Sequence, residues 1–258
     1  MKFFRKSLKF LLILLFWLGV WELAALAVGQ ELFMPSPISV IVCGAKLIFT
    51  PLFWHTIAVS IFRIVLGTVI AIISGTLLAL VTSRSRILND LFYPMLTIVK
   101  ATPVASFITL AIIWMGARRL PIFICSLMVF PIVWAAVSDG INSIDKKHKE
   151  LAQVFGFSLK NKFKLIYIPS VAPYFLSACK TSIGLAWKAG VAAEVLAVSP
   201  DSIGKQLFNA RTYYEIPELF AWTITVIILS LIIEFTMTKI FGYLGKKYAY
   251  VRNYAENK

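Results

Sequence analysis

Long apolar runs restrict the folds open to this sequence. A helix needs about 20 apolar residues to cross the hydrocarbon core of a bilayer. Only 15% of the 258 residues are charged, whereas soluble domains carry about a quarter. The sequence lacks the short alternating strands typical of a transmembrane barrel. We therefore predict an all-α membrane protein, a single domain over residues 1–258, with six spans at about 10–28, 57–81, 91–114, 121–137, 171–198 and 219–243.

The first apolar run has two interpretations. Basic residues precede it, and Ala25-Leu26-Ala27 resembles a cleavage site, which would fit a secretory signal. The run is, however, longer than a usual signal core and contains Glu22 and two tryptophans. These features favour an uncleaved first helix. Residues 38–50 are predicted to form a short interfacial helix.

Proline and glycine residues within the spans predict where a helix breaks and where neighbouring helices pack closely. Pro103, near the middle of the third span, lacks an N–H and clashes with the carbonyl four residues earlier, so a kink or break is expected there. Residues 117–120 are predicted to form a tight loop. Gly67 and Gly75 lie within the second span, where small residues let neighbouring helices approach closely.

The uneven distribution of lysine and arginine predicts the orientation. Sixteen of them lie in the two termini, the 83–90 loop and the 138–169 segment, against five in the opposite loops. Cytoplasmic loops carry the excess of positive charge in membrane proteins. Both termini and the 138–169 segment are therefore predicted to be cytoplasmic. The net charge of +14 is interpreted as this orientation signal, and lipid rather than nucleic acid is the expected partner.

The sequence offers little material for catalysis. Its three cysteines are isolated in apolar contexts, which is typical of packing thiols, and its two histidines are far apart. No G-x-x-x-x-G-K-[S/T] phosphate loop occurs. We predict that the chain is not an enzyme and that it binds no metal, cofactor or ATP of its own.

The most specific motif lies between the fourth and fifth predicted spans. It consists of Glu150, Gly156 six residues later, Ile166 ten residues after that, then Ile168 and Pro169. This pattern resembles the EAA loop of the membrane subunits of bacterial ABC importers. Leucine at position 151 and isoleucine at 168 replace the usual alanine and leucine.

Further matches place the resemblance in one branch of these importers. Pro35-Ser36-Pro37, Trp114-Met115-Gly116, and Trp187 with Glu194 look like the sulfonate, taurine and nitrate permeases. The resemblance implies the type I ABC importer permease fold in the bacterial cytoplasmic membrane. It also implies three partners: a second copy of the permease, separate ATPase subunits that hold ATP and Mg²⁺, and an extracytoplasmic solute-binding protein.

Residues 146–169, called the coupling segment below, are expected to contact the ATPase. A short helix at 146–155 offers apolar side chains, and Gly156 permits a sharp turn at positive φ. Such a helix fits a groove of a partner protein. The alternative is an ordinary basic loop. The expected ATPase-coupling residues are Glu150, Leu151, Ala152, Val154, Phe155, Gly156, Ile166 and Pro169.

Polar residues inside the spans are candidates for the translocation pathway, because charge at membrane depth is costly. Lys188 and Glu194 are about 240° apart around a helix and so do not share a face. Each could face the pore or a partner helix, Trp187 could also pack in the bundle, and Lys100 could instead extend to the membrane interface. Arg63, near the outer end of the second span, is expected to make an interfacial or inter-helix contact rather than to bind solute. The candidate pathway residues are Lys100, Thr102, Pro103, Ser106, Trp187, Lys188 and Glu194.

The predicted function is ATP-driven import of a small solute. The branch resemblance implies an organic anion such as a sulfonate or taurine, with a thiamine precursor or another heterocyclic solute as the alternative. A secondary transporter driven by an ion gradient is a further alternative, for which an internal inverted repeat is expected and none is detected. An intramembrane enzyme would have to rely on Lys188 and Glu194 without a nucleophile motif.

Overall fold

The computed structural model describes residues 2–145, 147, 150, 152 and 154–256, and among these no strand is present. Residues 147, 150, 152 and 154 are helical, as are ten longer elements. These elements are α1 (Lys2–Val28), α2 (Pro37–Ile48), α3 (Pro51–Thr82), α4 (Arg86–Ala101), α5 (Val104–Asn142), α6 (Leu159–Lys162), a π-helical turn (Phe163–Tyr167), α7 (Ile168–Leu196), α8 (Ile203–Thr212) and α9 (Ile216–Glu256). The predicted all-α class is confirmed.

Among the described residues, four helices are long and apolar enough to cross a membrane: Leu11–Val28, Pro51–Thr82, Val104–Asn142 and Ile216–Tyr243. α7 has sufficient length, at 29 residues, but it carries Lys180, Lys188 and Glu194. Six spans and their orientation therefore stay predictions.

α5 contains two helices that fold back on each other at Gly116. This glycine has φ 68° and ψ 160°, which are not helical values. Val104 and Met128 line the same cleft, although a straight helix would hold them about 36 Å apart. The first half of α5 therefore continues α4 as the predicted third span, and the second half contains the predicted fourth span. The predicted loop at 117–120 is wrong, because those residues are helical and the reversal is confined to one glycine.

The expected break at Pro103 is confirmed. α4 ends at Ala101, Thr102 and Pro103 are extended, and α5 begins at Val104. The N–H of Thr102 still bonds the carbonyl of Ile98. Since Pro103 has no N–H, the ladder cannot continue and a new helix starts.

Small residues bring α3, α5 and α7 together in the core. A Cβ on Gly67 of α3 would overlap the carbonyl oxygen of Ile122, and one on Gly75 would lie 2.9 Å from the carbonyl oxygen of Phe130. On α7, a Cβ at Gly190 would lie 2.8 Å from the sulfur of Cys125. The close helix approach predicted for the second span is therefore confirmed.

The cysteines are free, and two of them, at positions 125 and 179, are buried. The thiol of Cys125 donates to the carbonyl of Ala186 at 3.3 Å. Burial, and then the nearby Glu218 carboxylate, raise the pKa of the Cys43 thiol in α2. A raised pKa disfavours the reactive thiolate of Cys43, and the burial of the other two thiols agrees with their apolar sequence contexts.

Candidate functional site

The coupling segment turns at Gly156. This glycine has φ 59°, in the left-handed region, and the N–H of Phe157 bonds the carbonyl of Ala152 at 2.9 Å. That bond spans the Schellman motif, which ends a helix with a glycine just beyond its cap. The predicted sharp turn is confirmed, and its role in coupling stays a prediction.

The segment presents apolar side chains that the described part of the chain does not cover. Val154 is 82% exposed and Phe155 is 70% exposed, whereas Ala152 is only 2% exposed. Glu150 is also exposed. Leu151 lies outside the described residues. The exposed pair beside the turn forms a surface suited to a partner protein.

A π-helical turn joins the coupling segment to the membrane bundle. The Ser158 side chain caps α6 by accepting from the N–H of Asn161. The N–H of Ile168 then bonds the carbonyl of Phe163, five residues earlier. Pro169 follows as the second residue of α7 and contributes no N–H to the helix there. Ile166, on the π turn, is half-buried, and the backbone runs from α6 into α7 without a break.

Three of the predicted pathway residues lie together. Lys100, Thr102 and Pro103 line a cleft of about 430 Å³ against α5 and α7. The Thr102 hydroxyl donates to the carbonyl of Ile98, which satisfies it within its own helix. Ser106 is exposed but does not line this cleft. The helix break thus provides one cation beside a partly apolar cleft.

The remaining pathway candidates on α7 have different surroundings. Trp187 is buried and donates its indole N–H to the carbonyl of Val226 in α9. Glu194 is 0% exposed, whereas Lys188 is exposed. In this conformation Trp187 and Glu194 are enclosed by the chain itself, so their placement does not support the pathway role expected of them.

Glu194 is instead the centre of a buried polar cluster. Its carboxylate accepts from the hydroxyl of Ser60 at 2.8 Å and from the N–H of Gly204 at 3.3 Å. Arg63 lies 3.9 Å from the carboxylate and donates to the carbonyl of Pro200 at 2.9 Å. The cluster ties α3, α7 and α8 together. Arg63 therefore makes the predicted inter-helix contact.

Sequence reasoning missed the partner of Arg63, which lies more than a hundred residues away. One signal could have found it: two opposite charges inside apolar runs are expected to pair with one another.

The exposed face of α7 is unusually polar for a membrane helix. Ser177, Lys180, Thr181 and Lys188 are all exposed, and their spacing places them within about 100° of the helix circumference. The opposite face, including Ala186 and Gly190, is buried. The predicted pathway set did not include Lys180, which shares this exposed face with Lys188. A lysine-bearing face of this kind requires a water-filled cavity or a partner.

Apolar helices of membrane length, interrupted by an exposed polar segment, define a multi-pass membrane protein. Residues 65–250 match the sequence profile of the family described as binding-protein-dependent transport system inner membrane component. The chain belongs to this family and is a permease of an ABC importer. The resemblance to ABC importer permeases, which was inferred from the EAA-type motif, is thereby confirmed.

The comparisons also reveal named relatives. The chain is 24% identical to the putative aliphatic sulfonates transport permease protein of Bacillus subtilis, over 79% of this chain and 74% of that protein. It is 25% identical to the formylaminopyrimidine transport permease protein of Halalkalibacterium halodurans, over 83% of this chain and 84% of that protein. These similarities do not single out one solute.

A solved structure shares the fold. A chain in the crystal structure of an amino acid ABC transporter with histidines superposes with a TM-score of 0.62 at 16% identity. The superposition covers 79% of this chain and 97% of that one. This likeness supports the permease architecture.

Proposed function

We propose that this permease imports a small organic anion, such as a sulfonate or taurine, between two copies of the chain. A separate ATPase supplies the work, and an extracytoplasmic binding protein delivers the solute. The sulfonate relative supports this class of solute. The formylaminopyrimidine relative supports a second candidate, a heterocyclic thiamine precursor. In this proposal the chain lies in the bacterial cytoplasmic membrane with six spans and both termini on the ATPase side.

The observation that supports an ATPase contact is the exposed apolar pair, Val154 and Phe155, beside the Gly156 turn. Val154 and Phe155 present apolar area to solvent at the end of a helix, and burying such area is the main driving force of association. An ATPase groove that receives this helix end would grip the permease outside the bilayer.

Force applied at the coupling segment has a rigid route into the membrane. α6, the π turn and α7 form one continuous helical rod from Leu159 to Leu196. α7 in turn packs on α3 and α5 through Gly190. ATP binding would draw the two coupling segments together and tilt these helices to open the outward path, and hydrolysis would restore the inward-open state. Such coupling requires loop contacts that differ between the two states.

The polar face of α7 supports an anionic solute. Lys180 and Lys188 are exposed on it with two hydroxyls, at Ser177 and Thr181. Two facing copies would contribute four lysines to a shared path. Cationic and hydroxyl groups bind sulfonate oxygens through charge-assisted hydrogen bonds.

The proposal is tested with a Phe155→Ser variant reconstituted in proteoliposomes with its ATPase and binding protein. The matched control is Ile87→Ser, which also changes an exposed apolar residue outside the core, since Ile87 is 80% exposed. We expect Phe155→Ser to lose co-purification with the ATPase and ATP-driven uptake, and the control to retain both. Wild-type-like uptake by Phe155→Ser would overturn the contact. Uptake that needs an ion gradient and no ATP would overturn the importer mechanism itself.

A further inference from the structure

An apolar groove lies where the coupling segment enters the membrane bundle. It encloses about 350 Å³ and is formed by α3, α5, the π turn and α7. Among its lining side chains, polar groups are limited to the hydroxyls of Thr76 and Tyr167. The lining includes Leu80, Ile141, Phe163, Tyr167, Val171 and Phe175. The volume is in the range of small-molecule sites, and the lining suits a hydrocarbon.

The groove lies at a membrane boundary. Leu80 is two residues from the end of α3, and Ile141 is one residue from the end of α5. On the other side of the coupling segment, Ile168 is the first residue of α7. All three positions therefore lie near helix ends: α3 leads into the 83–85 loop, α5 leads toward the coupling segment, and α7 begins within it. Such ends of apolar helices lie at the depth of lipid headgroups and upper acyl chains.

Positive charge flanks the groove on its polar side. Lys160 and Lys164 are exposed, and each lies three residues before an aromatic ring of the lining, at Phe163 and Tyr167. These two rings stack with their centroids 5.3 Å apart. Residues three and four apart on a helix are neighbours, so Lys160 lies beside both Phe163 and Lys164, next to the first ring of the lining.

We propose that this groove binds one acyl chain of an anionic phospholipid, with the headgroup phosphate held by Lys160 and Lys164. Lysines near a membrane surface attract anionic lipid, and the apolar lining receives the chain. A bound lipid would wedge between the coupling segment and the bundle. The lipid composition would then influence how the coupling segment moves relative to α3 and α5.

Two other occupants fit less well. The proposed solute is a small water-soluble anion, which an apolar groove does not stabilise. A second copy that met this face across a two-fold axis would bring the same lysines opposite these lysines, and like charges repel. Anionic lipid is the occupant that matches both the apolar lining and the cationic rim.

The test uses the full-length permease, assembled with its ATPase, in nanodiscs of phosphatidylcholine. Phosphatidylglycerol with a photoactivatable diazirine in one acyl chain is the probe, and labelled peptides are identified by mass spectrometry. Thr76→Phe fills the groove. Ser74→Phe is the matched control, because it fills a neighbouring cleft of about 400 Å³ on the same helix, whose lining comes from α3, α4 and α5 and includes neither the π turn nor α7.

We expect labelling of the 163–176 peptide in the wild type and a loss of about tenfold in Thr76→Phe, the effect of removing the burial of about two methylenes. Ser74→Phe should label like the wild type. The Lys160→Gln/Lys164→Gln variant, altered outside the spans, should lose roughly fivefold of its preference for phosphatidylglycerol over phosphatidylcholine per lysine.

Three results would overturn the site. Equal labelling of Thr76→Phe and wild type would place the acyl chain elsewhere. An unchanged lipid preference in the double lysine variant would remove the headgroup contact. Crosslinks from groove residues to a second copy, in place of lipid, would assign the groove to a dimer interface. None of these results depends on which solute the permease carries.

Discussion

The hydroxyl of Ser60 donates a 2.8 Å hydrogen bond to the carboxylate of Glu194, and both side chains are fully buried. The same hydroxyl accepts from the N–H of Ile203 at 2.9 Å. One serine on α3 therefore holds both the end of α7 and the beginning of α8. With Arg63 beside the carboxylate, this contact is the main polar connection among three elements.

Replacing Glu194 by alanine should strongly destabilise the protein. The change leaves the buried Arg63 guanidinium without its counter-charge, and breaking a buried pair in this way costs about 3–5 kcal/mol. Glu194→Gln should cost less, because the amide oxygen still accepts from Ser60 and Gly204. Unfolding in detergent, followed by circular dichroism, measures the difference. Glu215→Ala, at an exposed position, serves as the control, and equal stability of all three variants would refute the role of the cluster.

Two helical glycines should respond in opposite directions to alanine. Gly67→Ala places a Cβ against the backbone of Ile122, and overpacking of this kind costs about 1–3 kcal/mol. At Gly184, an added Cβ would have no neighbouring atom within 4 Å, so Gly184→Ala should gain up to about 1 kcal/mol from helix propensity. Thermal unfolding of the purified permease compares them. A stabilised Gly67→Ala would contradict the close packing of α3 on α5.

Gly116→Val should disrupt the reversal within α5. At φ 68° and ψ 160° the backbone is in a region that only glycine occupies readily, and the strain costs about 1–3 kcal/mol. The readout is a disulfide between cysteines introduced at Val104 and Met128, which line one cleft. This crosslink should form in the parent and decrease in Gly116→Val. Gly19→Val, at an uncrowded helical site, should leave it unchanged.

Neutralising the α7 face should impair anion transport selectively. The Lys180→Gln/Lys188→Gln variant removes two exposed cations, and loss of a charged hydrogen bond of about 1.5–3 kcal/mol corresponds to about tenfold or more in uptake. Insertion in the membrane and ATPase binding should be retained. Lys205→Gln, on α8, is the control. Undiminished sulfonate uptake by the double variant would show that these lysines do not line the translocation path.

Much of the fold follows from local chemistry that the sequence displays. The break at Pro103 and the turn at Gly156 each depend on one residue with a restricted or unusual backbone, so they could be predicted. The bounds of the loop near 117 could not, because a loop was expected to need several residues and Gly116 reverses the chain alone. The spacing of Lys188 and Glu194 likewise predicted that they lie on different faces of one helix, but it did not show which of the two is buried.

The spacing of residues along the sequence could not reveal contacts between distant segments. Ser60 and Ile203 are brought together only when α3 packs against α7, and the apolar groove requires four elements to meet. The polar face of α7 could have been found by plotting every hydroxyl and lysine around that helix at 100° per residue. What remained hidden was the direction of each face, since this depends on how the helices are rotated against one another.

The π turn at Phe163–Tyr167 sets such a rotation. Its bond from Ile168 to Phe163 closes over five residues rather than four, so it holds one residue more than an α-helical turn. One residue corresponds to about 100° of rotation and 1.5 Å of rise. The π turn therefore sets the angular phase between α6, where the chain leaves the Gly156 turn, and the polar face of α7.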